Sequence, residues 1–175
     1  MFGSGPVGLE TIHAAFIHGA SKVYAVDYVP ERLPLAESLG AVPINFREAD
    51  PVEQIRAYEP KGVARSIDAV GYEQVNRNLT VQSDVIIHNM LSVTALGGGL
   101  GTIGVYNGEG PDSPGAPRAD TVRTEISLPM GRFFNSGFSW DTGVTSPNEV
   151  VSCTLSSSRG SLLMFPIRLL NLCSW

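Results

Sequence analysis

The chain opens Gly3-Ser4-Gly5-Pro6-Val7-Gly8, and no other stretch restricts the possible folds so narrowly. Glycines at this spacing meet three needs: a tight turn at Gly3, close approach of a ligand to the backbone at Gly5, and close packing of a following helix at Gly8. Leu9, Ile12 and Phe16 then recur at helical spacing, Gly19 supplies a stop, and Val23 to Val26 is a short apolar run ending in Asp27. Free N–H groups at the start of that helix, with their partial positive charge, suit a phosphate. Asp27, about 20 residues past the last glycine, stands where a carboxylate would accept the hydroxyls of an adenosine ribose. With 19 glycines in the chain a chance match is easy, so the agreement of turn, helix, strand and terminal acid is what predicts a dinucleotide-binding unit. Such a turn normally follows a buried strand. Only Met1 and Phe2 precede it, so the first and central strand of the sheet is expected to be almost absent, leaving apolar surface uncovered on its neighbours at Val23 and Val63.

Further along, strand and helix alternate. A second helix is expected from Pro30 to Gly40 with Leu33, Ala36 and Leu39 inward, although Pro34 would remove a hydrogen bond inside it. Ala41 to Phe46 reads as a short strand. Asp50-Pro51-Val52-Glu53 is a helix start, with Asp50 as N-cap, and the helix runs to about Tyr58. Val63 to Val70 is the next strand, and Ile86, Met90 and Leu91 suit a helix stopped by Gly97. Leu100 to Tyr106 reads as an apolar strand covered on both faces. This alternation predicts an α/β fold with a doubly wound parallel sheet. Asn107 to Pro129, rich in Gly, Pro and Asp, reads as a long loop, and Phe133 to Thr142, with Phe134, Phe138 and Trp140 on a period of about two, as one more strand. Residues 1–145 are thus expected to form the domain and 146–175 an irregular tail in which neither periodicity holds.

Composition narrows the partners. A net charge of -5 and a pI near 5.1 disfavour nucleic acid and anionic membranes. The two cysteines, Cys153 and Cys173, are too few for a disulfide framework or a four-ligand zinc site, which fits a reducing, cytoplasmic setting. No charged-then-apolar leader opens the sequence, and the apolar run from Leu162 to Leu172 is broken by Pro166 and Arg168. The sequon Asn78-Leu79-Thr80 is read as chance.

Gly3 to Gly8, Gly19-Ala20-Ser21-Lys22-Val23-Tyr24-Ala25-Val26-Asp27, Pro30-Glu31-Arg32-Leu33, Gly40-Ala41 and Asp68-Ala69-Val70-Gly71 resemble the cofactor-binding (Rossmann) domain of zinc-dependent medium-chain alcohol dehydrogenases. Asp50 to Ile55, Gly97-Gly98-Gly99 and Gly104-Val105-Tyr106 look closest to the glutathione-independent formaldehyde dehydrogenase branch. The resemblance implies Gly3, Gly5, Pro6, Val7 and Gly8 at the pyrophosphate of NAD and Asp27 at the adenosine ribose. It further implies Arg32 beside the adenosine, Val70 and Gly71 along the cleft, and Gly104, Val105 and Tyr106 towards the nicotinamide. Each position also has a plainer reading: Val70 as core, Arg32 as a solvated charge.

In that family a separate domain brings the catalytic zinc ligands, and the resemblance implies that this chain is a fragment without it. The residues at hand agree, because a catalytic zinc needs about three converging ligands. His13 and His18 stand five apart on one helix, on different faces, and His88 lies on another. The expected function is therefore the NAD-binding portion of an oxidoreductase that passes hydride from an alcohol or hydrated aldehyde, inactive by itself, with a homo-oligomer compatible. A non-catalytic dinucleotide-binding or partner-docking module is the alternative. An adenosylmethionine-dependent methyltransferase is disfavoured, since pyrophosphate-type glycine spacing would have no purpose there. NAD over NADP is expected, because Asp27 would repel a 2′-phosphate and no arginine follows until Arg32.

Overall fold

The computed structural model describes residues 1–71, 74–104, 106 and 127–142. Five helices and five strands alternate within them: α1 (Pro6–Ile17), β1 (Tyr24–Asp27), α2 (Arg32–Ser38), β2 (Val42–Asn45), α3 (Pro51–Tyr58), β3 (Val63–Asp68), α4 (Val85–Val93), β4 (Thr94–Thr102), α5 (Met130–Asn135) and β5 (Ser139–Thr142). β1 pairs with β2, and β3 with β4 and β4 with β5, all in parallel. Phe2 joins the two groups by parallel bridges to Val26 of β1 and Asp68 of β3, giving the order β2, β1, Phe2, β3, β4, β5. The chain winds to one side of Phe2 and then to the other. This is the doubly wound α/β sheet that the alternation predicts, with its reversal of strand order at residues 1–3.

The expected gap between the strands at Val23 and Val63 is largely closed. On one side Met1 N donates to Tyr24 O (2.8 Å), Val26 N to Met1 O (2.9 Å) and Gly3 N to Val26 O (2.8 Å). On the other, Phe2 N donates to Ile67 O (2.8 Å) and Ala69 N to Phe2 O (2.9 Å). Three residues, Met1 to Gly3, therefore satisfy both neighbours at their C-terminal ends, and Val23 to Asp27 are buried throughout, contrary to the expected exposure. Only β3 fits that expectation in part, being more open at Val63 to Arg65 than at Ser66 to Asp68.

Alternation along β1 sends Tyr24 and Val26 to one face of the sheet and Val23 and Ala25 to the other. The first pair joins Ile44, Ile55 and the apolar side of α4, while the second packs with Ile12 of α1 and Ala36 of α2. The end of α1 and the start of α3 follow the sequence signals. After α1, Gly19 at φ +88° lets its own N–H reach Phe16 O (2.9 Å) and that of Ala20 reach Ala15 O (2.9 Å), the paired bonds of a Schellman stop. Asp50 caps α3 by accepting Val52 N (2.8 Å) and Glu53 N (3.0 Å).

Several expectations are corrected. α2 begins at Arg32, so Pro34 falls in the first turn, where its missing N–H breaks no helical bond; Leu39, expected inward, is 39% exposed. The glycine run after α4 is strand, because β4 starts directly at Thr94. The register against β3 slips there from Val63↔Thr94 to Arg65↔Gly99. A Cβ on Gly98 would stand 2.8 Å from Ala64 O, so this close bulge needs glycine. Phe133 to Thr142 is not one strand: α5 occupies Met130–Asn135, Gly137 turns the chain at φ +63°, and only Ser139–Thr142 pairs. The aromatic period misled because Phe133 sits against both Phe138 and Trp140 (ring centroids 6.2 and 6.1 Å) across that turn, with Phe134 left 70% exposed. The tail from residue 146, with Cys153 and Cys173, and the loop 107–126 lie outside the described residues.

One core feature sets a pH response. The Tyr24 hydroxyl donates to Glu59 Oε1 at 2.9 Å. Burial, and then that carboxylate, pushes the phenol up from 10.0 to about 12. A raised acid favours the fold while neutral, so its contribution is complete below pH 10 and is lost as pH rises towards 12. Denaturant midpoints should fall over that window, and more gently in Tyr24→Phe; an unchanged slope in the variant would remove Tyr24 as the cause.

Candidate cofactor site

At the point where strand order reverses, the backbone turns from Phe2 into α1 through Gly3, Ser4 and Gly5. Each glycine has a separate reason to be there. Gly3 has φ +92°, and a Cβ on it would press on Val70 Cγ2 at 2.5 Å. A Cβ on Gly8 would collide with the Gly3 carbonyl oxygen, so α1 lies directly on the turn. Gly5 has nothing among the described residues within 4 Å of its missing Cβ. That opening faces a helix start: Gly5 is the N-cap, Pro6 and Val7 are exposed, and the helical ladder begins only with Leu9 N to Gly5 O (2.9 Å). The amides of Val7 and Gly8 precede that ladder and carry the positive end of the helix. Ser4 Oγ is buried here with no hydrogen-bond partner among the described residues.

Asp27, at the end of β1 and 3% exposed, holds this turn from the side. Its Oδ2 accepts Ser4 N (2.8 Å), and its Oδ1 accepts Tyr28 N (2.7 Å) and Val29 N (3.0 Å). Arg32, the first residue of α2, reaches Oδ2 at 3.5 Å with its side chain half exposed. It is thus neither free nor remote; it partners the buried carboxylate.

On the other side of the reversal, the segments after β3 and β4 close against the turn. Val70 touches the space beside Gly3 and is 36% exposed, so the plainer reading of it as core is wrong. Gly71 (φ +76°) lies against Gly104, where a Cβ would collide with Gly71 N and stand 2.9 Å from Asp68 Oδ2. Tyr106 is partly buried and donates its hydroxyl to Asp68 Oδ2 (2.5 Å). Burial, and then the Asp68 charge, pushes that phenol far up. Of the positions expected from the sequence, Gly3, Gly5, Pro6, Val7, Gly8, Asp27, Arg32, Val70, Gly71, Gly104 and Tyr106 line the carboxyl ends of Phe2, β1, β3 and β4. Val105 lies outside the described residues. Sequence reasoning passed over Asp68 as a site residue and Gln74 altogether; an acid and an amide bracketing the Val70-Gly71 turn were the available signal.

The donors suit a dinucleotide: an open glycine, a helix N-terminus, and a carboxylate at the neighbouring strand end. They do not suit zinc. Among the described residues no group of three or more His, Cys, Asp or Glu could hold a metal ion. His88 Nε2 instead meets Ser127 O at 2.9 Å on the surface. Among those residues, too, no helix is long and apolar enough to cross a membrane.

Comparison with known proteins agrees with this geometry. The family model described as zinc-binding dehydrogenase matches residues 6–146. Over 148 residues, 82% of this chain and 35% of the relative, the sequence is 33% identical to a glutathione-independent formaldehyde dehydrogenase of Bacillus subtilis. Its counterpart in Pseudomonas aeruginosa is 30% identical over 150 residues, again 82% of this chain and 37% of the relative. Among solved structures, the alcohol dehydrogenase TADH from Thermus sp. ATN1 superimposes with a TM-score of 0.59 at 30% identity, over 81% of this chain and 34% of that one. The chain spans about a third of the length of each of these three relatives.

Proposed function

The chain belongs to the zinc-binding dehydrogenase family, and from that premise we propose that it is the NAD-binding portion of an alcohol or formaldehyde dehydrogenase. Support comes chiefly from one juxtaposition: an open Gly5 at the start of α1, with the buried Asp27 carboxylate bonded to Ser4 N in the same turn. The pyrophosphate would lie over Gly5 against the free amides of α1. A ribose hydroxyl reaching Asp27 Oδ2 would compete with Arg32, the longest and most exposed of the contacts to that carboxylate. NAD, when bound, accepts the hydride removed from an alcohol or hydrated aldehyde. The described residues supply binding and orientation; in this proposal, polarisation of the substrate oxygen by zinc falls to groups outside them.

Titration of the 175-residue chain with NAD and NADP tests the proposal. NAD should bind at least about tenfold more tightly, because a 2′-phosphate would meet the Asp27 charge. Equal or tighter NADP binding would refute the role given to Asp27. Followed with zinc, formaldehyde and primary alcohols, reduced-cofactor absorbance should stay near background. Zinc-dependent turnover abolished by chelation would overturn the division of labour, and NAD binding without turnover in any longer form of the protein would favour a non-catalytic module.

A further inference from the structure

Beneath the open site lies a buried polar network that ordinary packing does not require. Asp68, the last residue of β3, is fully buried. Its Oδ1 accepts Val70 N (2.8 Å) and Gly71 N (3.2 Å), and its Oδ2 accepts the Tyr106 hydroxyl (2.5 Å). Its carbonyl takes Ile103 N (2.9 Å) and Gly104 N (3.2 Å). Gln74, 1% exposed, donates from Nε2 to the Tyr106 oxygen (3.0 Å) and to Gly71 O (2.9 Å), and its Oε1 receives Ile86 N (2.7 Å) at the start of α4. One acid and one amide thus tie together the segment after β3, the segment after β4 and the first turn of α4. Because Gly71 and Gly104 meet backbone to backbone, polar bonds rather than interlocking side chains set the spacing of the two segments.

The location of the network gives it a functional meaning. A doubly wound sheet takes one mononucleotide on each side of its strand reversal. The glycine turn and Asp27 belong to the side of β1 and β2, whereas Val70, Gly71, Gly104 and Tyr106 follow β3 and β4. We propose that Asp68, Gln74 and Tyr106 are positioning residues that fix these two segments at the separation which receives the nicotinamide mononucleotide half, leaving the adenosine half to the turn. This rests on the NAD-binding reading above. What it adds is that the two halves are held by independent devices, the Asp27 carboxylate for one and the Asp68 network for the other.

Tyr106→Phe in the 175-residue chain separates the two halves. The variant keeps the ring and loses the hydroxyl that links Asp68 to Gln74. AMP probes the adenosine side alone and NAD probes both. The dissociation constant for NAD should rise about tenfold while that for AMP stays within about twofold. Amide hydrogen exchange should quicken at Val70, Gly71, Ile103 and Gly104 and not in α1. Asp68→Asn should give the same split; should it fail to fold, Tyr106→Phe decides alone. Parallel weakening of NAD and AMP, or an unchanged NAD affinity, would overturn the inference while leaving NAD binding intact. If the unmutated chain bound neither AMP nor NAD, the cofactor reading itself would fall, and this role with it.

Discussion

Gly8→Ala is expected to cost at least about 3 kcal/mol of folding stability, the upper range for forcing one extra methyl into a packed interior. Nothing in the conformation of Gly8 forbids alanine; space does. The new Cβ would collide with the carbonyl oxygen of Gly3 and stand 2.9 Å from its carbonyl carbon, and both are backbone atoms. Neither can yield alone. Gly3 N is bonded to Val26 O and Ser4 N to Asp27 Oδ2, so moving the turn also strains β1. The alternative is for α1 to lift away from the sheet and uncover Ile12, which is fully buried. Thermal melting should show a midpoint lowered by roughly 6–12 °C for a chain of this size. Gly5→Ala is the contrasting variant, since its Cβ would meet nothing among the described residues within 4 Å. It should cost the fold at most about 1 kcal/mol as an N-cap change while placing a methyl where the pyrophosphate would lie, and so lose NAD affinity. A Gly8→Ala protein melting within a degree or two of its parent would show that α1 does not bear on the turn as closely as described.

Asp27→Ala should be of similar size, about 3–5 kcal/mol, as is usual when a buried charged acceptor is removed from its donors. The carboxylate accepts three backbone amides, Ser4 N, Tyr28 N and Val29 N, which fastens the glycine turn to the end of β1. Alanine would leave all three without their acceptor and strand Arg32 beside an apolar gap. Asp27→Asn is milder but not innocent. An amide offers one accepting oxygen and one donating nitrogen, so whichever way it turns, at least one backbone N–H faces N–H, at a cost of about 1–3 kcal/mol. In the proposed function the same variant should narrow the preference for NAD over NADP, since the repelling charge is gone. Denaturant titration paired with NAD and NADP titrations checks both. Full stability in Asp27→Ala would mean that the turn is held by something other than this carboxylate, whereas lost stability with an unchanged cofactor ratio would separate its structural role from its proposed binding one.

How much of this was legible beforehand depended on the range of the interaction. The Gly3, Gly5 and Gly8 spacing, the Schellman stop at Gly19, the Asp50 cap and the acid ending β1 are local: each is a backbone need met by a residue within a few positions, so it is written in neighbouring letters. With the alternation of strand and helix they predict the doubly wound sheet, and they mark Gly3, Gly5, Gly8 and Asp27 at its carboxyl edge, whereas Arg32, Val70, Gly71, Gly104 and Tyr106 were expected there only from the family resemblance. Tertiary structure decided what depends on partners far away in the chain. Two residues, Met1 and Phe2, serve as the central strand because β1 and β3 stand on either side to receive their bonds. The glycines after α4 became strand because Arg65 and Ala64 of β3 lie close against them, and Phe133 left the strand because Trp140 and Phe138 were there to pack on. The Asp68, Gln74 and Tyr106 network spans 38 residues between its acid and its phenol. No local pattern encodes such a bond, since a buried polar group is stable only once folding has brought its partner to it, and that is a property of the assembled sheet.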